Sequence, residues 1–255
     1  AIADLHDLTR SSDISPEERL DDGLPQSLEA CIRTYGLREF KLKLSGDAEA
    51  DLVRLSDIAA VITEHAPADF RFSLDANEQF TSPDQLRACG KMVNSDSHLK
   101  PFFNHLAFIE QPLSRKVALS PDQPDIRSCW PDPVALLIDE SDGGWDDLPT
   151  ALQKGYSGVS HKNCKGVFKG IRNACLVRKH QQEQADERPW LTSAEDLANI
   201  GPVALQQDLA VQAALGNVSI ERNGHHYFDG LLAFPETVRK QVLAAHPDLY
   251  RAPCH

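Results

Sequence analysis

Three short segments of this chain each carry a carboxylate directly after an apolar run: Phe72-Ser73-Leu74-Asp75-Ala76-Asn77, Phe108-Ile109-Glu110-Gln111-Pro112 and Leu136-Leu137-Ile138-Asp139-Glu140-Ser141. Lysines bracket them, in Lys41-Leu42-Lys43-Leu44 upstream and Ser160-His161-Lys162-Asn163 downstream. Three oxygen donors that meet at one point suit a hard divalent cation, Mg²⁺ with Mn²⁺ as its substitute, and would repel one another strongly without it. Ammonium groups beside such a cation can move protons or hold an anionic substrate. Taken singly, each acid reads as well as a helix N-cap, and the Lys-x-Lys pair as a solvated strand face. It is the ordered set of five that points to chemistry.

The elements that must position these residues follow from the pattern around them. Candidate strands end near Lys43, Asp75, Glu110, Asp139, Lys162, Glu195 and Arg222, with the spacing of roughly 30 residues that a βα unit needs. Apolar periodicity and end signals predict helices over 50–65, 145–154, 167–180, 202–215 (closed by Gly216) and 235–245. An eighth strand is expected within 2–8. Such a repeat implies parallel strands with right-handed crossovers, and eight units in about 250 residues fit a (β/α)8 TIM-type barrel rather than an open doubly wound sheet. Residues 14–25 and 115–133 read as irregular, the latter rich in Pro, Asp and Ser. No linker or low-complexity tract interrupts the pattern, so residues 1–255 are read as a single domain.

In a barrel the reacting groups gather at the C-terminal ends of the strands, which would put Asp75, Glu110 and Asp139 on one rim. Strand alternation turns Lys41 and Lys43 inward together while Leu42 faces the helices. Each of these lysines is expected to lower the proton affinity of the other, leaving one able to act as a base at neutral pH. Lys162 would approach from the opposite side of the mouth, and His161, of opposite parity, would face the outer layer.

The formal net charge of -12 opposes attraction to nucleic acid or an anionic membrane, leaving small molecules and cations as the expected partners; a homo-oligomer is compatible with everything above. Six cysteines without a CxxC pair argue against a zinc knuckle or disulfide scaffold and for a reduced, cytoplasmic protein. No apolar stretch approaches the roughly 20 residues that span a bilayer.

The motifs and their order resemble the enolase superfamily, in particular its muconate lactonizing enzyme-like subgroup: KxK on the second strand (Lys41, Lys43), DAN on the third (Asp75, Asn77), EQP on the fourth (Glu110), DES on the fifth (Asp139, Glu140) and a lysine on the sixth (Lys162). The resemblance implies a (β/α)7β variant of the barrel in which Asp75, Glu110 and Asp139 bind Mg²⁺. It implies that Lys43 and Lys162 take and return a proton beside a substrate carboxylate, that Lys41 supports that carboxylate, that Asn77 supports the ligands, and that Glu140 hydrogen-bonds near Lys162. The activity implied is that of a racemase, epimerase or cycloisomerase, with an acid-sugar dehydratase as the alternative.

Two departures stand beside the resemblance. Members normally carry an N-terminal α+β capping domain, which is expected to be missing here through truncation, supply by another chain or loss of activity. The seventh segment, Leu191-Thr192-Ser193-Ala194-Glu195-Asp196, lacks the histidine of the mandelate racemase type, which favours the two-lysine subgroup. The pair His225-His226 is read as structural. Outside the superfamily, Lys162 could form a Schiff base as in an aldolase-like barrel, or the barrel could be a non-catalytic interaction module. Gly201, Gly216, Gly224 and Gly230 form no compact phosphate loop.

Overall fold

The computed structural model describes residues 2–3, 8–183, 189–195, 199–222 and 230–252. Eight strands run parallel and pair in chain order: β1 (Ile2–Ala3), β2 (Glu39–Lys43), β3 (Arg71–Asp75), β4 (Leu106–Glu110), β5 (Ala135–Ile138), β6 (Gly158–Lys162), β7 (Leu191–Glu195) and β8 (Ile220–Glu221). Helices follow them: α1 (Leu28–Tyr35), α2 (Ala48–His65), α3 (Pro83–Ser95), α4 (Leu99–Phe103), α5 (Arg115–Ala118), α6 (Asp147–Gln153), α7 (Val167–Glu183), α8 (Val203–Leu215) and α9 (Glu236–Ala245). The molecule is a (β/α) barrel of the TIM type.

Outward strand residues Phe40, Leu42, Phe72, Leu74, Ile109, Leu136, Ile138 and Val159 are buried against the helical layer in one continuous core. Full burial of each such side chain stabilises by about 1.5–3 kcal/mol. Where α4 meets β3 the contact is aromatic, with Phe72 stacked on Phe102 at 4.3 Å and Phe70 on His105 at 4.1 Å. Caps fix where the helices start. Ser27, Asp47 and Ser82 accept backbone N–H bonds at the heads of α1, α2 and α3, and Pro83 occupies the first turn of α3. Helix α7 starts at the expected 167 but runs three residues past the expected 180, and α8 ends at Leu215 as expected, closed by Gly216 at φ 77°. Helix α1 was not anticipated, and neither were α3 and α4. Within the irregular 115–133 only the single turn α5 is helical.

The sheet curls far enough that side chains of β2, β4 and β8 touch inside it: Lys41 meets both Glu110 and Glu221. Side chains from alternate strands share a layer in barrels of this kind. The two strands at the seam are only two residues long, and among the described residues no ladder joins β8 to β1. A cavity of about 670 Å³ is lined by inward strand residues such as Ser73 and Ser193, by Lys41, Glu110 and Glu221, and by residues of α7 and α8.

Candidate active site

Strand β2 delivers both lysines inward. Lys41 is buried, with Nζ 2.8 Å from Asp75 Oδ2 and 3.2 Å from Glu110 Oε1, and it also pairs with Glu221. Burial disfavours its charge, but Glu110, Asp75 and Glu221 outweigh that and hold its pKa well above the usual lysine range. The expected mutual lowering by Lys43 is therefore reversed at Lys41. The physical reason is number: attraction to three carboxylates exceeds repulsion from one ammonium.

Lys43 stands one step nearer the mouth. It donates to Asp75 Oδ2 at 2.7 Å and to Asn77 Oδ1 at 2.9 Å, and Asn77 passes the chain on to Glu140 Oε1 at 3.0 Å. On the far flank Lys162 lies 2.9 Å from Asp139 Oδ2 and 2.7 Å from Glu195 Oε2. Burial opposes its charge too, and Asp139 and Glu195 together raise its pKa above the usual range. The resemblance put Glu140 beside Lys162. The structure instead gives that place to Glu195, because Asp139 takes the inward direction at the end of β5 and leaves Glu140 aimed at the β3 loop.

The loops that carry the acids are held by the neighbours in their motifs. Gln111, fully buried, donates to Leu113 O and Ser141 Oγ (2.7 Å each) and accepts from Asp139 N (2.7 Å) and Ser141 N (3.1 Å). All four amide capacities are used. That explains the Gln of EQP and the Ser of DES: together they splice the β4 loop to the end of β5. Gln111 at φ 34° and Asn77 at φ 40° both sit in the left-handed region, a strain that costs on the order of 1–3 kcal/mol and is tolerated where surroundings over-determine the backbone.

Glu110, Asp139 and Glu195 each offer an oxygen within 4.8 Å of the others, the one group of metal-ligating type among the described residues. Asp75 stands next to it, held by Lys41 and Lys43. Burial lifts Glu110 to about 8, with Lys41 opposing and Asp75 and Asp139 adding to the rise. At Asp139 burial is outweighed by Lys165 and then Lys162, and its pKa is lowered. Four buried carboxylates (Asp75, Glu110, Asp139, Glu195) and half-buried Glu221 face four lysines (Lys41, Lys43, Lys162, Lys165), and Glu221 Oε1 has no hydrogen-bond partner. Hard oxygen donors and an orphaned carboxylate oxygen fit a divalent cation.

Sequence reasoning missed Glu195, Glu221 and Lys165. The first two stand where strand ends were expected, at 195 and near 222, so an inward acid at each was available to be noticed. Lys165 lies in a short 3-10 turn (Asn163–Lys165) after β6, outside any periodic pattern. His161 is buried against α7, its ring so near Gly170 that a Cβ there would lie 2.3 Å from Cε1. His225 and His226 lie outside the described residues.

No family model matches the chain, and no curated protein does. Solved structures do. N-succinyl Arg/Lys racemase from Bacillus cereus ATCC 14579 superposes with a TM-score of 0.57 at 18% identity over 79% of this chain and 49% of its own. A racemase from Streptomyces coelicolor A3(2), solved with bound magnesium, gives 0.52 at 20% over 80% and 54%. A member of the enolase superfamily from Roseovarius nubinhibens ISM gives 0.52 at 20% over 76% and 46%. The chain thus spans about half the length of the structures it matches. At such identities the likeness establishes the architecture, a barrel of the kind on which these racemases are built.

Proposed function

We propose that this chain is a Mg²⁺-dependent isomerase of the enolase-superfamily type, a racemase or epimerase acting on a small carboxylate with an acidic α-hydrogen. The observation that carries the reading is the placement of buried acids at the ends of β3, β4, β5 and β7 between lysines from β2 and β6. Glu110 and Asp139 would hold the cation, with Glu195 as the third ligand in the arrangement seen and Asp75 adjoining. When bound, the cation supplies positive charge at the substrate carboxylate, where an enediolate develops.

The chemistry of the chain's own groups follows. Nζ of one lysine, in its neutral form, takes the α-proton, and the electron pair of the broken C–H bond moves into the enediolate. The ammonium of the other lysine gives a proton back to the same carbon from the opposite side. Lys162 serves one enantiomer as base and Lys43 the other, so both configurations exchange. Lys41, tied to three acids, acts as a fixed positive charge under the carboxylate rather than as a base. A lysine raised by its carboxylates becomes a usable base only when those acids spend their charge elsewhere, so cation binding and base activation are coupled.

The racemase and enolase-superfamily structures of the same architecture support this reading, as does a bound magnesium in one of them. A cytoplasmic setting is part of the proposal, supported by the free thiols of the five described cysteines. Among the described residues no helix is long and apolar enough to cross a membrane. The test is a library of carboxylic acids screened by mass spectrometry for α-deuterium uptake in D₂O with Mg²⁺. Exchange of both enantiomers by the parent, and of one series only by each of Lys43→Ala and Lys162→Ala, is expected. Undiminished exchange in both variants refutes the assignment, and loss of water from the substrate would mark a dehydratase instead.

A further inference from the structure

Lys165 also binds the acid cluster, and its geometry differs from that of the lysines assigned above. Its Nζ donates to Asp139 Oδ1 at 2.6 Å, to Asp139 O at 2.6 Å and to Ser160 O at 3.1 Å. Three donors meet three acceptors, so the ammonium is saturated and has no hydrogen to offer a substrate. Two of those bonds reach the side chain and the main chain of one residue. A group held at both Cγ and C=O cannot turn about χ1 without breaking one bond, so the carboxylate plane of Asp139 is locked. Oδ1 is committed to Lys165, and Oδ2 is the oxygen that meets Lys162.

The third bond ties this arrangement to β6. Ser160 lies two residues before Lys162 on the same strand, so Lys165 couples the end of β5 to the strand carrying the second proton-transfer lysine. Nearby, Lys169 makes the corresponding clasp one loop further out, donating to Asp142 O at 2.6 Å with Asp142 Oδ1 at 3.1 Å. Both lysines come from the turn and first helical residues after β6 and grip the segment that follows β5.

We propose that Lys165 is the positioning residue for Asp139: it fixes which carboxylate oxygen faces Lys162 and the cation, and takes no part in proton transfer itself. The inference rests on the metal-site reading above, and its test has one arm free of that reading. A lysine that served only as a counter-ion would, on removal, leave the acids more negative and a cation more tightly bound. A positioning residue has the opposite sign, because partners that orient metal ligands are worth about 10–100-fold in metal affinity.

The experiment compares the parent chain, Lys165→Met and Lys162→Met by Mn²⁺ titration followed by electron paramagnetic resonance. A loss of at least tenfold in Mn²⁺ affinity in Lys165→Met is expected, while Lys162→Met, which removes the same charge from the other oxygen, keeps or improves it. Equal or tighter binding in Lys165→Met overturns the proposal. In the second arm, with EDTA present, amide hydrogen exchange of residues 139–142 is followed by mass spectrometry. Release of Asp139 O and Oδ1 should speed that exchange at least threefold in Lys165→Met and not in Lys162→Met, and an unchanged rate overturns the proposal whether or not the parent binds Mn²⁺. If the parent takes up no Mn²⁺ but the exchange responds, the metal reading fails and the clamp stands.

Discussion

Lys41 offers the sharpest test of the site's energetics, because a single ammonium neutralises acids from three strands. In Lys41→Met the chain keeps the hydrophobic stem but leaves Asp75, Glu110 and Glu221 without their shared cation, at positions where the lysine side chain is 6% exposed and the acids 1%, 2% and 7%. Removing one partner of a buried ion pair costs about 3–5 kcal/mol, and with Glu110 and Glu221 both stranded while Asp75 keeps Lys43, the upper end applies. For a domain of this size each kcal/mol moves the melting temperature by about 2–4 °C, so a fall of roughly 10–20 °C is expected. Lys43→Met is the internal control. That side chain is 18% exposed and shares Asp75 with Lys41, so Asp75 keeps a cation in its absence, and a drop of no more than about 4 °C is expected. Both variants are melted by calorimetry in EDTA and again with Mg²⁺. A ligand at 100 times its Kd stabilises by about 2.7 kcal/mol, so the cation should restore part of the loss in Lys41→Met. Should Lys41→Met melt within 3 °C of the parent in EDTA, or should Lys43→Met prove equally damaging, the reasoning from burial and shared charge fails.

Four further outcomes are expected. Gly158→Ala would place a Cβ 1.8 Å from the backbone oxygen of Leu191, which side-chain motion cannot relieve; overpacking of about 3 kcal/mol should lower Tm by roughly 6–12 °C, and a neutral melt would mean that β6 and β7 pair differently. Thiol alkylation at pH 8, mapped by mass spectrometry, should reach exposed Cys164 and Cys175 before buried Cys31, Cys89 and Cys129, with Cys89 slowest because burial pushes its thiol up to about 12; early labelling of Cys89 would contradict the packing of α3. The Asp96 carboxylate, ahead of α4, accepts from the N–H groups of Leu99 and His98, which hold its pKa below the usual carboxylate range. A depressed carboxylate pKa stabilises above the unfolded value and is lost as pH falls through the folded one, so urea melts should weaken below pH about 4 by less in Asp96→Asn than in the parent. The third metal ligand is decided by Mn²⁺ titration of Glu195→Gln against Asp75→Asn: the geometry expects the larger loss in Glu195→Gln, and the reverse order would return that role to Asp75.

Much of this architecture was legible in the residues. The strands ending at Lys43, Asp75, Glu110, Lys162 and Glu195 stop where period-2 patterning gives way to loop residues, and the inward parity of Lys41 and Lys43 against outward Leu42 follows from the pleat alone. What could not be read is what depends on meeting across the barrel. Helix α1 hides because its apolar residues Leu28, Cys31 and Ile32 cover barely one turn of a stripe, yet Ser27 and Gly36 mark both its ends. Lys165 hides for a stronger reason, since a 3-10 turn of three residues has no periodicity to betray it and its partners lie 5 and 26 residues away.

The same limit hides what sets the proton affinity of the lysines. Sequence spacing brings Lys41 and Lys43 within two residues, so their repulsion is visible, whereas Glu221 lies 180 residues from Lys41 and comes beside it only when the sheet has curled. The closure that assembles the site therefore also raises the proton affinity of Lys41 and Lys162. Each ammonium is held by acids from other strands: Lys41 by β3, β4 and β8, Lys43 by β3, and Lys162 by the end of β5 and by β7. Withdrawing carboxylate charge from the flank of Asp139 and Glu195 must lower the proton affinity of Lys162. On the proposed function, Glu110, Asp139 and Glu195 would hold the cation, so two of the acids that border Lys162 would share their charge with it. The enantiomer whose α-hydrogen faces Lys162 is therefore expected to exchange the faster.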